Sequence, residues 1–401
     1  MHSVAAANKI DNVPLMYQKY QPSRAAALAA LEAFLPQAGR RYTEQRNFDH
    51  GPVNRANISM LSPYIRHRMI TEHEVITRVL TRHRFVDAEK FIQEVCWRTY
   101  WKGWLEMRPS VWARYQADVA NLPHSATYDA ACAGKTGIDC FDAWAMELKA
   151  TGYLHNHARM WFASLWIFTL GLPWQLGADF FYHYLLDGDP ASNTLSWRWV
   201  AGLQTAGKTY LAQADNITKF TNGRFTPNSF VRVAGPPSEA PWAAAAISTT
   251  PALPKGAVGL LVTEEDLHPE SIDYGASRIT ALAAAPLGNG LSAGVSAFIN
   301  GAISEALKRG AAQWRAPAEL IDTLDPEGLI DWAQAHKLNT IVTAYTPVGP
   351  VSDRLAAIAP VLASAGITVV PVRRDWDSAA WPHAAKGFFA FKDKIPGLIG
   401  L

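Results

Sequence analysis

The run Asp187-Gly188-Asp189-Pro190-Ala191-Ser192-Asn193-Thr194-Leu195-Ser196-Trp197-Arg198-Trp199 sets carboxylates, an amide and two indoles at short fixed spacing. Ten of the fifteen tryptophans fall between Trp97 and Trp199. A packed core seldom needs that much indole, because each ring is bulky and its N–H wants a partner. A redox chromophore that stacks and exchanges electrons would use such a set.

Other chemistries find less support. His155 and His157 form an H-x-H pair without the i,i+4 partner of a helical zinc site, so no metal is expected. Cys96, Cys132 and Cys140 cannot furnish a disulfide framework or a four-cysteine iron–sulfur site, and reduced thiols are expected. The segment Pro286-Leu-Gly288-Asn-Gly290-Leu-Ser-Ala-Gly294 has its last glycine one residue too late for a dinucleotide loop, and the strand before it is unclear. There is no P-loop and no internal repeat.

These residues must be carried by a chain of 401 residues, long enough for two cores, with an ordinary 49% hydrophobic and 18% charged content. The longest uncharged apolar stretch, residues 160–172, is too short to span a bilayer, and the N-terminus lacks a secretory pattern, so a soluble cytoplasmic protein is expected. Net charge is only +2, yet residues 1–235 carry 25 Lys+Arg against 19 Asp+Glu, and residues 40–114 hold fourteen cations against eight acids. The first half is therefore the expected partner of a polyanion, with a solvated helix face as the plain alternative.

Apolar spacing predicts helices over residues 23–37, 71–82, 87–107, 140–151, 155–170, 173–186 and 190–203. The second opens on a capping-box arrangement, Thr71 with Glu74. Six prolines in residues 226–256 predict a linker. Beyond it, β-rich runs at 257–262, 339–345 and 366–372 alternate with helical stretches at 292–309, 326–336 and 351–365, which predicts βαβ crossovers and a parallel sheet. The expected architecture is multidomain: an all-helical domain (1–225), the linker, and a smaller α/β domain with a parallel sheet (257–401).

Four blocks of the helical part resemble the flavin-binding domain of the photolyase/cryptochrome family: Tyr42-x-x-x-Arg46; Ile58-Ser-Met-Leu-Ser-Pro-Tyr-Ile65; Phe91-Ile-Gln-Glu-Val-Cys-Trp-Arg98; and residues 152–199, with His155-Asn-His-Ala-Arg-Met160 and Asp187-Gly-Asp189. The α/β part is similar to that family's antenna domain through residues 353–367 and Gly387-Phe-Phe-Ala-Phe-Lys392. Here it follows the flavin domain instead of preceding it, which suggests a circular permutation.

The resemblance implies FAD folded into a U, with Arg159 and Asp187 against the isoalloxazine edge and Asp189 nearby. It places Asn193 opposite the flavin N5, Tyr42, Ser59, Leu61 and Ser62 along the pyrophosphate, and Arg98 among the cofactor contacts. Met60, Arg66 and Arg68 depart from the family pattern of arginine, a small residue and glycine. Trp197 and Trp174 match the inner members of a tryptophan electron chain whose outer member has no counterpart, with Trp112 or another nearby aromatic as a substitute. Glu94, Trp97, Asn156, Met160 and Trp199 match the pocket for a flipped cyclobutane pyrimidine dimer, whereas the branch acting on the other major photoproduct carries histidines at positions 156 and 160.

The implied protein is a deoxyribodipyrimidine photolyase, a monomeric carbon–carbon lyase that repairs damaged DNA with light and reduced FAD. The antenna chromophore is unassigned. The alternatives are a cryptochrome-like blue-light photoreceptor and a flavin-free nucleic-acid-binding relative.

Overall fold

In a computed structural model, the described residues are 20–401 except 206, 229, 232–234, 236–238 and 289. The first part is helical throughout: α1 Arg24–Phe34, α2 Arg40–Gln45, α3 Ser62–Arg66, α4 Glu72–Leu80, α5 Phe85–Glu106, α6 Pro109–Asn121, α7 Ala126–Ala133, α8 Asp139–Thr151, α9 Asn156–Ser164, α10 Trp174–Tyr184, α11 Pro190–Val200 and α12 Ala214–Phe220. Local signals start them. Ser23 accepts from the Ala26 N–H, Thr71 from the Glu74 N–H and Asp189 from the Ser192 N–H. The Glu74 carboxylate does not complete the capping box; it is held by Arg24 at 2.6 and 2.9 Å. The helix expected over 155–170 is present as a continuous run, its α turns over Asn156–Ser164 widening into a π turn over Leu165–Thr169.

The second part comprises β1 Gly256–Val262, β2 Ser277–Ala284, α13 Ala293–Trp314, β3 Ala318–Leu320, α14 Pro326–Ala335, β4 Thr340–Ala344, α15 Pro350–Ser364 and β5 Thr368–Val372, followed by α16 Asp375–Ala380, α17 Phe388–Lys392 and α18 Ile395–Leu398. The five strands form one parallel sheet in the order β3-β2-β1-β4-β5. Leu260 registers with Leu282 on one side and Val342 on the other. The order reverses between β1 and β4, which makes the carboxyl ends of those strands the topological switch point. Strands β2 and β3 escape the pattern reading. β2 is rich in alanine, which has low strand preference, and β3 is only three residues long.

The two parts share a core. Val258, Leu260, Phe298, Ile303 and Phe391 belong to the same buried cluster as Leu31, Phe91, Trp161 and Trp197, while Leu261, Ala281, Trp332 and Ile341 form a second cluster on the other face of the sheet. Residues 226–255 carry neither helix nor strand where described, in keeping with their prolines, yet they lie on the helical part: the Ala245 N–H donates to the Met107 carbonyl at 2.8 Å and Arg108 to the Trp242 carbonyl at 3.2 Å.

The switch point is filled by the helical part. Glu264, Glu265 and Asp266, just beyond β1, meet Arg66, His67 and Arg68, at and just beyond the end of α3. Arg66 grips Glu265 with two bonds of 2.8 and 2.7 Å, His67 Nδ1 lies 2.8 Å from the Glu264 carbonyl, and Arg68 reaches Asp266 at 3.5 Å and Asp377 at 2.7 Å. All six residues are buried. Such pairs add modest stability but fix the relative placement of the parts, because a misdocked arrangement would bury unpaired charge.

Candidate functional site

Three helix ends converge on the centre of the helical part. Asp187 and Asp189 lie in the tight turn between α10 and α11, and Arg159 projects from the start of α9. Arg159 Nη2 donates to Asp187 at 3.0 Å and its Nε to the Leu154 carbonyl at 2.9 Å, so the guanidinium is fixed at both ends. The Asp187 side chain is 3% exposed and that of Arg159 23%. Burial pushes the Asp187 carboxyl up, but Arg159 and then Arg98 override it, and the group stays below the usual carboxylate range. The pair expected from the sequence is therefore formed and charged.

Asp189 does two things. One carboxylate oxygen caps α11 at 2.7 Å; the other lies 3.4 Å from Arg98, 3.6 Å from Lys102 and 3.9 Å from Arg66, without a formed hydrogen bond. Against a large burial penalty, Lys102, Arg98 and Arg66 together hold this carboxyl well below its ordinary value. Asn193, one turn along α11, donates its amide NH2 to the Ala178 carbonyl at 2.7 Å. That bond sets which end of the amide is the donor and leaves the oxygen as the end able to accept from a ligand N–H.

The segment expected along a pyrophosphate is only partly suited to one. Leu61 is buried and precedes α3, Ser59 Oγ accepts weakly from the Leu61 N–H at 3.4 Å, and the Ser62 hydroxyl is buried. Met60 and Arg68 both lie in the left-handed region, at φ 55° and 48°. The glycine of the resembling pattern suits that backbone at position 68; Arg68 carries the strain and spends its charge on Asp377 and Asp266 instead of a ligand. Arg66 is likewise engaged, with Glu265 and the Gly188 carbonyl at 2.7 Å. Tyr42 is packed edge-on against Phe91 and Phe34, with ring centroids 5.1 and 6.0 Å away.

Sequence reasoning missed three aromatic or charged neighbours. Tyr153 lies under both Arg159 and Arg55, whose guanidinium carbons stand 5.1 and 5.2 Å from its ring centre. Its signal was its place in the same block as Arg159. Arg55 pairs with Glu147 and, at 3.4 Å, with Asp49. Tyr20 packs against Tyr64 (5.7 Å) and Tyr153 (6.3 Å), reaches the Met60 sulfur at 3.7 Å, and feels the charges of Asp187 and Arg159. Nothing in the spacing around Tyr20 pointed there.

The residues expected to line a substrate pocket separate into two groups. Glu94 is ion-paired with Arg46, whose carbonyl lies 3.0 Å from His155 Nε2, and His155 in turn caps α9. Burial drives the His155 imidazole down to about 3, so it is neutral and the link is a hydrogen bond. Asn156 is exposed and its amide reaches the Met160 sulfur at 3.7 Å; Trp199 is half-buried and stacked on Tyr210 at 5.5 Å. Trp97 stands apart. Its ring is stacked on Phe388 of the C-terminal segment, centroids 3.5 Å apart and planes 10° apart, with Trp101 at 5.2 Å. One face that would receive a base is taken from within the chain.

Trp197 is buried against Phe181 (5.1 Å) and Trp166 (6.1 Å), in a space that Gly177 opens: a Cβ at that position would stand 2.3 Å from the indole. Trp174 begins α10, under the guanidinium of Arg198 at 5.8 Å. The charge reading needs correction. Of the fourteen cations in residues 40–114, Arg55, Arg66, Arg68, Lys102 and Arg108 are buried and cannot face a polyanion. Arg40, Arg41, Arg82 and Arg84 are exposed, and Arg40 and Arg84 are brought together by a shared partner, Asp87. Among the described residues no helix is long and apolar enough to cross a membrane.

Residues 91–232 match the family described as the FAD binding domain of DNA photolyase. Over these residues the helical part is similar to that domain, and FAD is the cofactor that the match supports. A deoxyribodipyrimidine photo-lyase of Thermus thermophilus is 36% identical over 189 residues, covering 46% of this chain and 43% of the relative. That of Agrobacterium fabrum is 32% identical over 190 residues, covering 46% and 39%. Among solved structures, a bacterial class III photolyase from Agrobacterium tumefaciens aligns with a TM-score of 0.46 at 28% identity, covering 54% of this chain and 46% of that one. A cryptochrome from Synechocystis aligns with a TM-score of 0.43 at 23% identity, covering 50% and 43%. The chain spans less than half the length of these curated relatives.

Proposed function

We propose that this protein is a light-driven lyase that splits cyclobutane pyrimidine dimers in DNA. The observation that carries the reading is the Arg159–Asp187 pair, made at 3.0 Å around a 3% exposed carboxylate, with Asn193 on the helix that follows Asp187 keeping its amide oxygen free to accept. Two charges in a helical interior are costly unless they serve each other and a ligand, and here they sit inside the stretch that matches the FAD-binding family.

When bound, FAD would supply the light-driven, reversible one-electron transfer that opens the cyclobutane ring. The chain's residues hold the reacting groups. Arg159 and Asp187 present a donor and an acceptor to the ring edge, and Asn193 accepts from an N–H without adding charge. The Ser62 hydroxyl and Asp189, whose second oxygen is held among Arg98, Lys102 and Arg66, offer further polar contacts. Glu94, steadied by Arg46, and the Asn156 amide face polar edges of the lesion, while Trp199 supplies a stacking surface. Arg40, Arg41, Arg82, Arg84 and Lys90 are among the exposed cations available to DNA phosphates. In this reading the α/β part is an antenna-type domain placed after the flavin domain by circular permutation.

The test is restoration of a dimer-containing oligonucleotide by the FAD-loaded protein under blue light and in the dark. Light-dependent restoration supports the proposal. Flavin photochemistry without restoration supports the second reading, a blue-light photoreceptor, which one observation favours: Phe388 already occupies a face of Trp97.

A further inference from the structure

The tryptophan chain expected from the sequence has no outer member at the matching spacing beyond Trp174, with Trp112 or another nearby aromatic as the substitute, and the structure places two rings there. The Tyr115 ring is stacked on Trp174, centroids 5.7 Å apart and planes 22° apart, and the Trp112 ring follows at 5.3 Å from Tyr115. Trp112 and Tyr115 are one turn apart on α6, both buried at 5% exposure, so they share the face that α6 turns toward α10. Inward, Trp197 and Trp174 lie on the packed pair α11 and α10. Gly177, one turn after Trp174, faces the Trp197 ring, and Arg198 covers Trp174. The aromatic file thus runs from the helix of Asn193 to the seam between the two parts.

At the seam the file ends on a proton acceptor. The Trp112 indole N–H donates to Asp353 Oδ2 of α15 at 2.8 Å, and Gln116 holds the same oxygen at 3.2 Å. Asp353 is exposed, so a proton delivered to it can pass to water. An indole that has lost an electron is a strong acid, and a carboxylate on its N–H takes the proton and traps the hole there. Tyr115 is a bridge and not a resting place. Burial raises its phenol well above the ordinary value, with Asp179 and Tyr182 adding to the effect, and this resists the proton loss that a stable tyrosyl radical requires.

We propose that Tyr115 and Trp112 complete the electron path to the cofactor, with Asp353 as the proton acceptor of Trp112; this rests on the FAD-based reading above. With oxidised FAD bound, Trp197 would give up one electron to it under light, and the hole would pass to Trp174, across Tyr115 and onto Trp112. Trp112 then loses its Nε1 proton to the Asp353 carboxylate, leaving a neutral indolyl radical and a carboxylic acid. A soluble thiolate later returns one electron to Trp112, becoming a thiyl radical, while Asp353 returns the proton.

The experiment is flash photolysis of the full chain loaded with oxidised FAD, recording the tryptophanyl radical and its protonation state. The wild type gives a long-lived neutral radical. Trp112→Phe shortens the radical lifetime by at least an order of magnitude. Asp353→Asn, at an exposed position that keeps the fold, leaves the radical as the protonated cation and shortens it likewise. Lifetimes and protonation states equal to wild type in both variants overturn the relay while the FAD reading stands. A wild type that binds FAD but forms no radical under light overturns the photochemical reading and the relay with it.

Discussion

The Arg159–Asp187 pair allows a quantitative test in the flavin-free protein. Arg159→Met strips Asp187, 3% exposed, of the guanidinium that lies at 3.0 Å. Removing one partner of a buried pair costs about 3 to 5 kcal/mol. The lower end applies, since Arg159 is itself 23% exposed and Arg98 also acts on Asp187. Asp187→Asn should cost less, about 1 to 2 kcal/mol, because Arg159 keeps the Leu154 carbonyl and the face of Tyr153. The double variant has no uncompensated charge, so the cycle should give a coupling energy of about 2 kcal/mol. Urea unfolding of the four proteins measures it, with the midpoint shifting and the slope constant. A coupling below about 0.5 kcal/mol would show that the two groups act independently and would refute the argument from burial.

Tyr20 lies between Met60 and Tyr153, on ground that a ligand held by Arg159 and Asp187 must share; Tyr20→Ala should therefore tighten FAD binding, measured by equilibrium titration, and weaker binding would make Tyr20 part of the site. Arg68→Gly relieves a left-handed backbone worth about 1 to 2 kcal/mol but strands Asp377 and Glu72, each 1% exposed. The buried charges should win, with a net loss of about 2 to 3 kcal/mol in urea unfolding, and a stabilised variant would contradict this. Burial, with Glu265 alongside, raises the Glu264 carboxyl from its ordinary range to about 7. A carboxyl with a raised folded pKa contributes stability that is complete below its unfolded pKa and is lost as pH climbs through the folded one. Stability should thus fall between about pH 4.5 and 7, by up to about 3 kcal/mol for this group, and Glu264→Gln should flatten that slope; an unchanged slope would place the proton elsewhere.

The sequence made the long amphipathic helices and the three β-branched strands legible because their periods are strong. It was silent on α2, α3, α7 and α12, which are short, on α6, where Pro109 reads as a helix stop but stands at the first position of a new helix, on β2, whose alanines carry little pattern, and on the three-residue β3. Arg159, Asp187 and Asn193 were readable through the family resemblance, because the motif blocks that carry it lie on α9 and on the turn between α10 and α11, where spacing is local. Tyr20, Arg55 and Phe388 were not, since each reaches its partner across many intervening residues and only the packed fold brings them there. Charge was the least transferable signal. Arg66 and Arg68 count as cations available to DNA until Glu265 and Asp377 are found beside them.

The central claim is that FAD sits against the Arg159–Asp187 pair. The visible absorption spectrum of the purified full chain, before and after incubation with FAD, tests it most directly. A stoichiometric flavin spectrum in the wild type that is largely lost in Asp187→Asn is the predicted result. A colourless wild type that takes up no FAD, or an Asp187→Asn protein as yellow as the wild type, would contradict it.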